Sequence, residues 1–152
     1  MSIEAKLKDL GIDLPLPPEP LGAYVPCVRV GELLFLSGVL PLVEGELIAT
    51  GKVGGELSIE EGQKAARQTA LNALSIARKN LETLDKVTRV VKVVGYVASA
   101  EGFNNQPAVV NGASDLFVEV FGERGRHARV ATGVNELPMN SPIELEVIFR
   151  IS

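Results

Sequence analysis

The sequence predicts an α+β fold in which a mixed β-sheet carries two main helices on one face. Three observations lead there. β-prone and helix-prone segments follow one another in the order β-β-α-β-α-β-β. The last segment, Ile143–Ile151, alternates in the manner of a strand with one buried side. Each of two long helical segments has one apolar stripe, so each must lie against something apolar. A chain of 152 residues fits a single domain, 1–152, of which 1–20 forms an N-terminal helix and a proline-rich arm.

The elements follow from local chemistry. Ser2 offers an N-cap, Ile3, Leu7 and Leu10 recur at helical spacing, and Gly11 stands where a helix stops. The prolines of Leu14–Pro20 fix extended backbone and remove amide donors, which excludes helix and central strand. Cys27–Val30 and Leu33–Ser37 are β-prone, and the two-residue link Gly31-Glu32 between them suits a tight hairpin. After the glycine-rich, polar stretch Thr50–Leu57, Ser58 and Glu61 have capping-box spacing and open a helix with the stripe Ala66, Ala70, Leu74, Ala77, Leu81, Leu84. Its alanines allow close approach to a sheet. Val87–Ala98, rich in valine, reads as a long central strand. Pro107 suits a first helical turn, so a second helix spans about 107–121 and buries Val109, Ala113, Leu116 or Phe117, and Val120 before stopping at Gly122. Two strands, Arg129–Val134 and Ile143–Ile151, complete the order.

Composition excludes several function classes. The net charge is -4 without a basic run, so nothing in the chain announces a grip on a phosphate backbone. The single cysteine, Cys27, has no partner for a disulfide, and Glu4, Lys6, Lys8 and Asp9 stand where a secretory leader would be apolar; the expectation is a cytoplasmic protein. The mostly apolar run Leu33–Val43 is too short to span a bilayer, so no membrane span is expected. Phosphate-binding loops, dinucleotide fingerprints, nucleophile elbows and zinc-ligand spacings are missing, and no metal or cofactor is expected.

The remaining candidates each have a bland alternative. His127, between Arg124, Arg126 and the next strand, reads as a solvated loop histidine. Cys27 reads as a small buried hydrophobe. Arg129 at the mouth of a strand offers a planar fork for a carboxylate, or an ordinary surface ion pair. Glu144 is either a site carboxylate or an outward-facing strand residue.

Ordered motifs add weight to the functional alternatives. Leu21-Gly-Ala-Tyr24 followed by Gly31-Glu-Leu-Leu-Phe-Leu-Ser-Gly38, Val110-Asn111 in the second helix, and Ala128-Arg129 followed by Leu137-Pro138 and the Ile143-Glu-Leu-Glu-Val strand resemble the RidA/YjgF family of reactive imine and enamine deaminases, also called the L-PSP endoribonuclease family. The resemblance implies a chorismate-mutase-like homotrimer around a central barrel, with helices outside and clefts between subunits. It implies that Arg129 pairs with a substrate carboxylate supported by backbone near Gly38, that Tyr24, Ser37, Asn111 and Ala131 line the cleft, and that Glu144 activates water. The implied reaction hydrolyses 2-imino or enamine acids to 2-oxo acids and ammonia. Val39 stands where close members carry Gln, and Ala131 where they carry Cys, which marks a divergent subgroup. Two other readings follow from the same residues: a non-catalytic trimer that binds a carboxylate metabolite, and an endoribonuclease or translation inhibitor, against which the acidic composition argues.

Overall fold

A computed structural model describes residues 1–152. Helix α1 covers Ile3–Asp9, and the Ser2 hydroxyl accepts the Ala5 amide as its N-cap; Gly11 follows at φ 66°. Strands β1 (Cys27–Val30) and β2 (Leu33–Leu36) form the expected hairpin, with Gly31 at φ 58° in its turn. A small ribbon absent from the sequence reading comes next. Strands β3 (Leu42–Val43) and β4 (Glu46–Leu47) pair across Glu44-Gly45, both at positive φ. Helix α2 (Ile59–Leu81) starts at a full capping box, in which the Ser58 hydroxyl accepts the Glu61 amide and the Glu61 carboxylate accepts the Ser58 amide. The remaining elements are β5 (Val87–Ala98), α3 (Gln106–Phe121), β6 (Ala128–Val134) and β7 (Ile143–Ile151).

The main sheet runs β1-β2-β7-β5-β6, antiparallel except for the β5/β6 pair, and is therefore mixed. Its register puts Val93 beside both Val147 and Arg129, and Gly95 beside both Leu145 and Ala131. The valines and Leu145 in these rows are fully buried beneath α2 and α3. The rows on either side of Gly95, namely Glu146, Val94 and Val130 and then Glu144, Tyr96 and Thr132, point to the opposite, open side.

Small residues set the helix layer. The buried side of α2 is wider than its predicted stripe: Ala65, Thr69, Asn72, Ala73, Ser75 and Ile76 are buried as well, because α2 meets the sheet, α3 and the proline arm at once. At Gly112 a Cβ would overlap the Gln63 backbone, and at Gly95 it would strike Val110, so sheet, α3 and α2 all touch through positions that tolerate no side chain. Buried hydroxyl and amide groups on α2 are all satisfied. Thr69 donates to the Ala65 carbonyl, and Asn72 donates to the carbonyls of Leu40 and Leu42 at 2.9 and 2.8 Å.

Gly112→Ala should therefore destabilise the fold, since neither helix backbone can give way. The expected loss is about 1–3 kcal/mol, or a Tm lower by roughly 3–10 °C in a thermal melt. An unchanged Tm would mean that the two helices are not in contact at this point.

Candidate active site

The chain between β2 and the small ribbon makes the site. After Leu36 the backbone leaves the ladder at Ser37-Gly38 and rejoins β7 at Val39, whose amide and carbonyl pair with Leu145. The Ser37 hydroxyl donates to the Val25 carbonyl at 2.6 Å, tying down the segment that carries Tyr24. Gly38 allows a close approach: a Cβ there would overlap the Glu144 carboxylate. The Gly38 amide itself donates to no acceptor in the chain.

Glu144 is half-buried, and burial holds its carboxyl above the ordinary glutamate range, with the neighbouring negative charge of Glu146 adding to the effect. Tyr96 donates its phenol to Glu146 at 2.6 Å, a bond that pushes the Tyr96 pKa upward. Glu144 separates two cavities. One, of about 410 Å3, has a mixed polar and apolar lining that includes Tyr96, Glu146, Leu137 and Ser37. The other, of about 170 Å3, is mainly apolar and lies under the proline arm, with Leu40, Leu42 and Ile76 in its walls and Tyr24 at its mouth.

Arg129 lies elsewhere. It projects to the helix side of β6, where Nη1 donates to Asn111 Oδ1 at 2.7 Å and to Ser114 Oγ at 3.2 Å, and Nη2 donates to the Pro107 carbonyl at 3.4 Å. No carboxylate of the chain pairs with it, so the surface ion pair weighed above is not what the residue makes. Nε–H and one Nη2 proton have no acceptor, and these two form a two-pronged donor suited to a carboxylate. His127 corrects the solvated reading: it is half-buried and edge-on to Phe117. Its Nδ1 lies 2.6 Å from the Gly125 carbonyl and its Nε2 lies 2.9 Å from the Ser114 hydroxyl, which makes Nδ1 the protonated nitrogen and Nε2 the acceptor. Burial lowers the His127 pKa, and the Arg129 charge acts in the same direction. Cys27 is partly buried against the core and its thiol pKa is raised by burial, as an inert thiol requires.

The candidate residues thus form two groups. Tyr24, Ser37, Gly38 and Glu144 share the cavity region beyond the end of β2. Arg129, Asn111 and Ala131 lie on the helix side of β6, two strands away and on the opposite sheet face. Four participants were missed from sequence. Ser114 stands one turn after Asn111, and Glu146 shares the strand face of Glu144, so both spacings were visible; Tyr96 depends on strand register, and Asn72 on tertiary packing.

Residues 4–150 match the family model described as "YjgF/chorismate mutase-like, putative endoribonuclease". The chain belongs to this family. It is 42% identical to protein TCP17 of Trypanosoma cruzi over 99% of its length and 94% of the relative's. It is 30% identical to a 2-iminobutanoate/2-iminopropanoate deaminase of Dermatophagoides farinae, covering 92% of this chain and 94% of that one. Among solved structures, Atu1372 of Agrobacterium tumefaciens superposes with a TM-score of 0.91 at 42% identity, covering 99% of this chain and 92% of that chain. A Shewanella oneidensis MR-1 protein bearing the same endoribonuclease description gives 0.95 at 30% identity, covering 99% and 100%. No helix is long and apolar enough to cross a membrane.

The raised Glu144 pKa has a signed consequence for stability. The folded chain holds this proton more tightly than the unfolded chain, so the stability it contributes is full below the ordinary glutamate pKa and is lost as pH rises through the folded value. Glu144→Gln should raise Tm at pH 7–8, by roughly 1–3 °C because the group is only half-buried, and the gain should vanish near pH 4. A gain that persists unchanged at pH 4 would rule out ionisation of Glu144 as its source.

Proposed function

We propose that this protein hydrolyses reactive 2-imino acids, and their enamine tautomers, derived from amino acids, giving 2-oxo acids and ammonia without a metal or organic cofactor. The observation that carries the reading is Glu144, a half-buried carboxyl of raised pKa packed against Gly38, whose amide has no acceptor in the chain, beside an apolar cavity. The identity to an imine deaminase over nearly the whole chain supports the same chemistry.

The active unit in this proposal is a cytoplasmic homotrimer. Two observations support assembly. Arg129 and Glu144 cannot meet within one chain, and the open sheet face exposes Val28, Val30, Phe35 and Val130. Packing open faces around an axis covers these side chains and brings Arg129 of one subunit towards Glu144 of the next. The Nε/Nη2 edge of Arg129 then receives the substrate carboxylate, with Asn111 and Ser114 holding the guanidinium and the Gly38 amide adding a donor. Tyr24 and Ser37 close the wall.

Ionised Glu144 takes one proton from water as the oxygen attacks C2, and passes it to the nitrogen as the C=N electron pair moves there. In the resulting carbinolamine Glu144 takes the hydroxyl proton and delivers it to the amino nitrogen, so the C2–N bond breaks, ammonia leaves and the C2–O bond becomes the carbonyl of the 2-oxo acid. For an enamine, protonated Glu144 first delivers a proton to C3. A raised pKa suits both steps, since it keeps acid and base forms closer to balance near neutral pH.

Arg129→Lys keeps the charge but removes the fork, so kcat/KM for imines generated in situ by an amino-acid oxidase should fall roughly ten- to hundred-fold, with the oligomer intact by size exclusion. In the unaltered protein kcat/KM for imine hydrolysis should fall on acidification with a midpoint above the ordinary glutamate value, and Glu144→Gln should abolish that limb. Tight 2-oxo acid binding with no acceleration of keto-acid release would replace this reading with the metabolite-binding one. RNA cleavage that depends on Arg129 and Glu144 would favour the endoribonuclease reading.

A further inference from the structure

The apolar cavity beside Glu144 has a volume of about 170 Å3. A cavity of about 150 Å3 lined by aliphatic and aromatic side chains holds a benzene ring, whereas the methyl or ethyl group of the smallest imino acids leaves most of such a space unfilled. The geometry points to 2-imino acids with a branched aliphatic or aromatic side chain, of the size derived from leucine or phenylalanine, as the substrate class, and to the proline arm as the element that selects them. This rests on the deaminase reading above and adds the identity of the side chain.

Floor, wall and roof are built to exclude hydrogen bonding. The floor segment carries carbonyls at Leu40 and Leu42 that could have faced a ligand; both instead accept from the buried Asn72 amide, so the leucine side chains are what the cavity meets. Ile76, one turn further along α2, forms the wall. The roof is Pro18–Leu21, in which Pro18 and Pro20 have no amide proton to offer. Glu19 turns outward to Lys79, 3.9 Å away, with most of its side chain in solvent.

The roof is held in place from three sides. Ser75 donates to the Pro15 carbonyl, Leu14 packs against the core, and the Leu21 amide donates to the Tyr24 hydroxyl at 3.2 Å. Apart from Glu19, which faces solvent, and Tyr24, whose hydroxyl accepts the Leu21 amide, the polar groups of the lining are Gly38, Ser37 and Glu144, where the reacting carbon and the carboxylate belong. Val39, where close family members carry Gln, also lines this cavity and adds a methyl-bearing surface instead of an amide. A substrate with a hydroxyl or charged side chain would leave that group unpaired, a loss that sites of this kind punish strongly.

The test compares imines made in situ from alanine, leucine and phenylalanine, with calorimetric titration of pyruvate, 4-methyl-2-oxopentanoate and phenylpyruvate on the same intact protein. We expect kcat/KM for the leucine- or phenylalanine-derived imine to exceed that for the alanine-derived one by at least about tenfold, the discrimination a methylene or more supplies in an apolar pocket. Ile76→Phe, which fills the cavity, should lower kcat/KM for the leucine- and phenylalanine-derived imines several-fold more than for the alanine-derived one. Leu21→Ala changes an exposed roof residue with little risk to folding, and should lower the preference several-fold at unchanged Tm. Equal or better turnover of the alanine-derived imine overturns the inference and leaves the deaminase reading standing. Absence of turnover for all three imines removes the deaminase reading, and the titrations then decide the cavity. Tighter binding of the two larger 2-oxo acids, weakened by Ile76→Phe, upholds it; equal binding of all three, or none, overturns it.

Discussion

Close approach of α2 to everything around it is the constraint from which the remaining geometry follows. A helix flanked by leucines would ride several ångströms higher on the sheet. Here Gly62, Gly112 and the alanines from Ala65 to Ala77 let it sink against β7 and α3. Only at that depth can Asn72 reach two carbonyls of the loop after β2, and only then does Ser75 meet the arm. The helix thus acts as a template for segments with little regular structure of their own. An amide buried without those carbonyls would be costly, so Asn72 also penalises any other path for residues 40–42.

The charges near the sheet are distributed unevenly. Glu144 and Glu146 are two residues apart on one strand and face the same way, so the charge of Glu146 adds to the cost of ionising Glu144, and Tyr96 donates its phenol to Glu146. Arg129, which could neutralise them, is instead turned towards α3 and anchored by neutral acceptors. Neutral anchors fix a guanidinium in place without quenching its charge, which is the condition under which it can still attract an anion. His127 contributes by remaining uncharged. As an acceptor it orients the Ser114 hydroxyl so that the oxygen lone pairs face Arg129.

Much of the fold was legible because local chemistry and packing agree. Ser58 and Glu61 form the capping box their spacing announced, Gly31 turns the hairpin, and the alternation from Ile143 to Ile151 is the burial pattern of β7. The ribbon of Leu42–Val43 and Glu46–Leu47 escaped because two-residue strands are too short to show a period, although Glu44-Gly45 is a recognisable turn pair. The breadth of α2 escaped because Asn72 and Ser75 look like solvent-facing residues until their long-range partners are known. At the site, Tyr24, Ser37, Gly38 and Glu144 were named in sequence and converge in space. The placing of Arg129 was not legible, since which face of β6 it occupies depends on register with β5, and a flanking pair of arginines made His127 look solvated.

The arm has a mechanical property of its own. It crosses the cavity as the segment before the first strand, and its outer part is fastened to α2 by a hydroxyl and a surface ion pair, with no ladder hydrogen bonds. The sheet, both long helices and the Gly38–Glu144 contact receive no ladder hydrogen bond from it. Residues 15–21 can therefore be exchanged in length or bulk much as an interchangeable cover is, with the sheet and helices beneath left as they are. In protein-engineering terms, the cover of the cavity and the framework that folds are separate parts of this chain, and the smaller part is the one that can be rewritten.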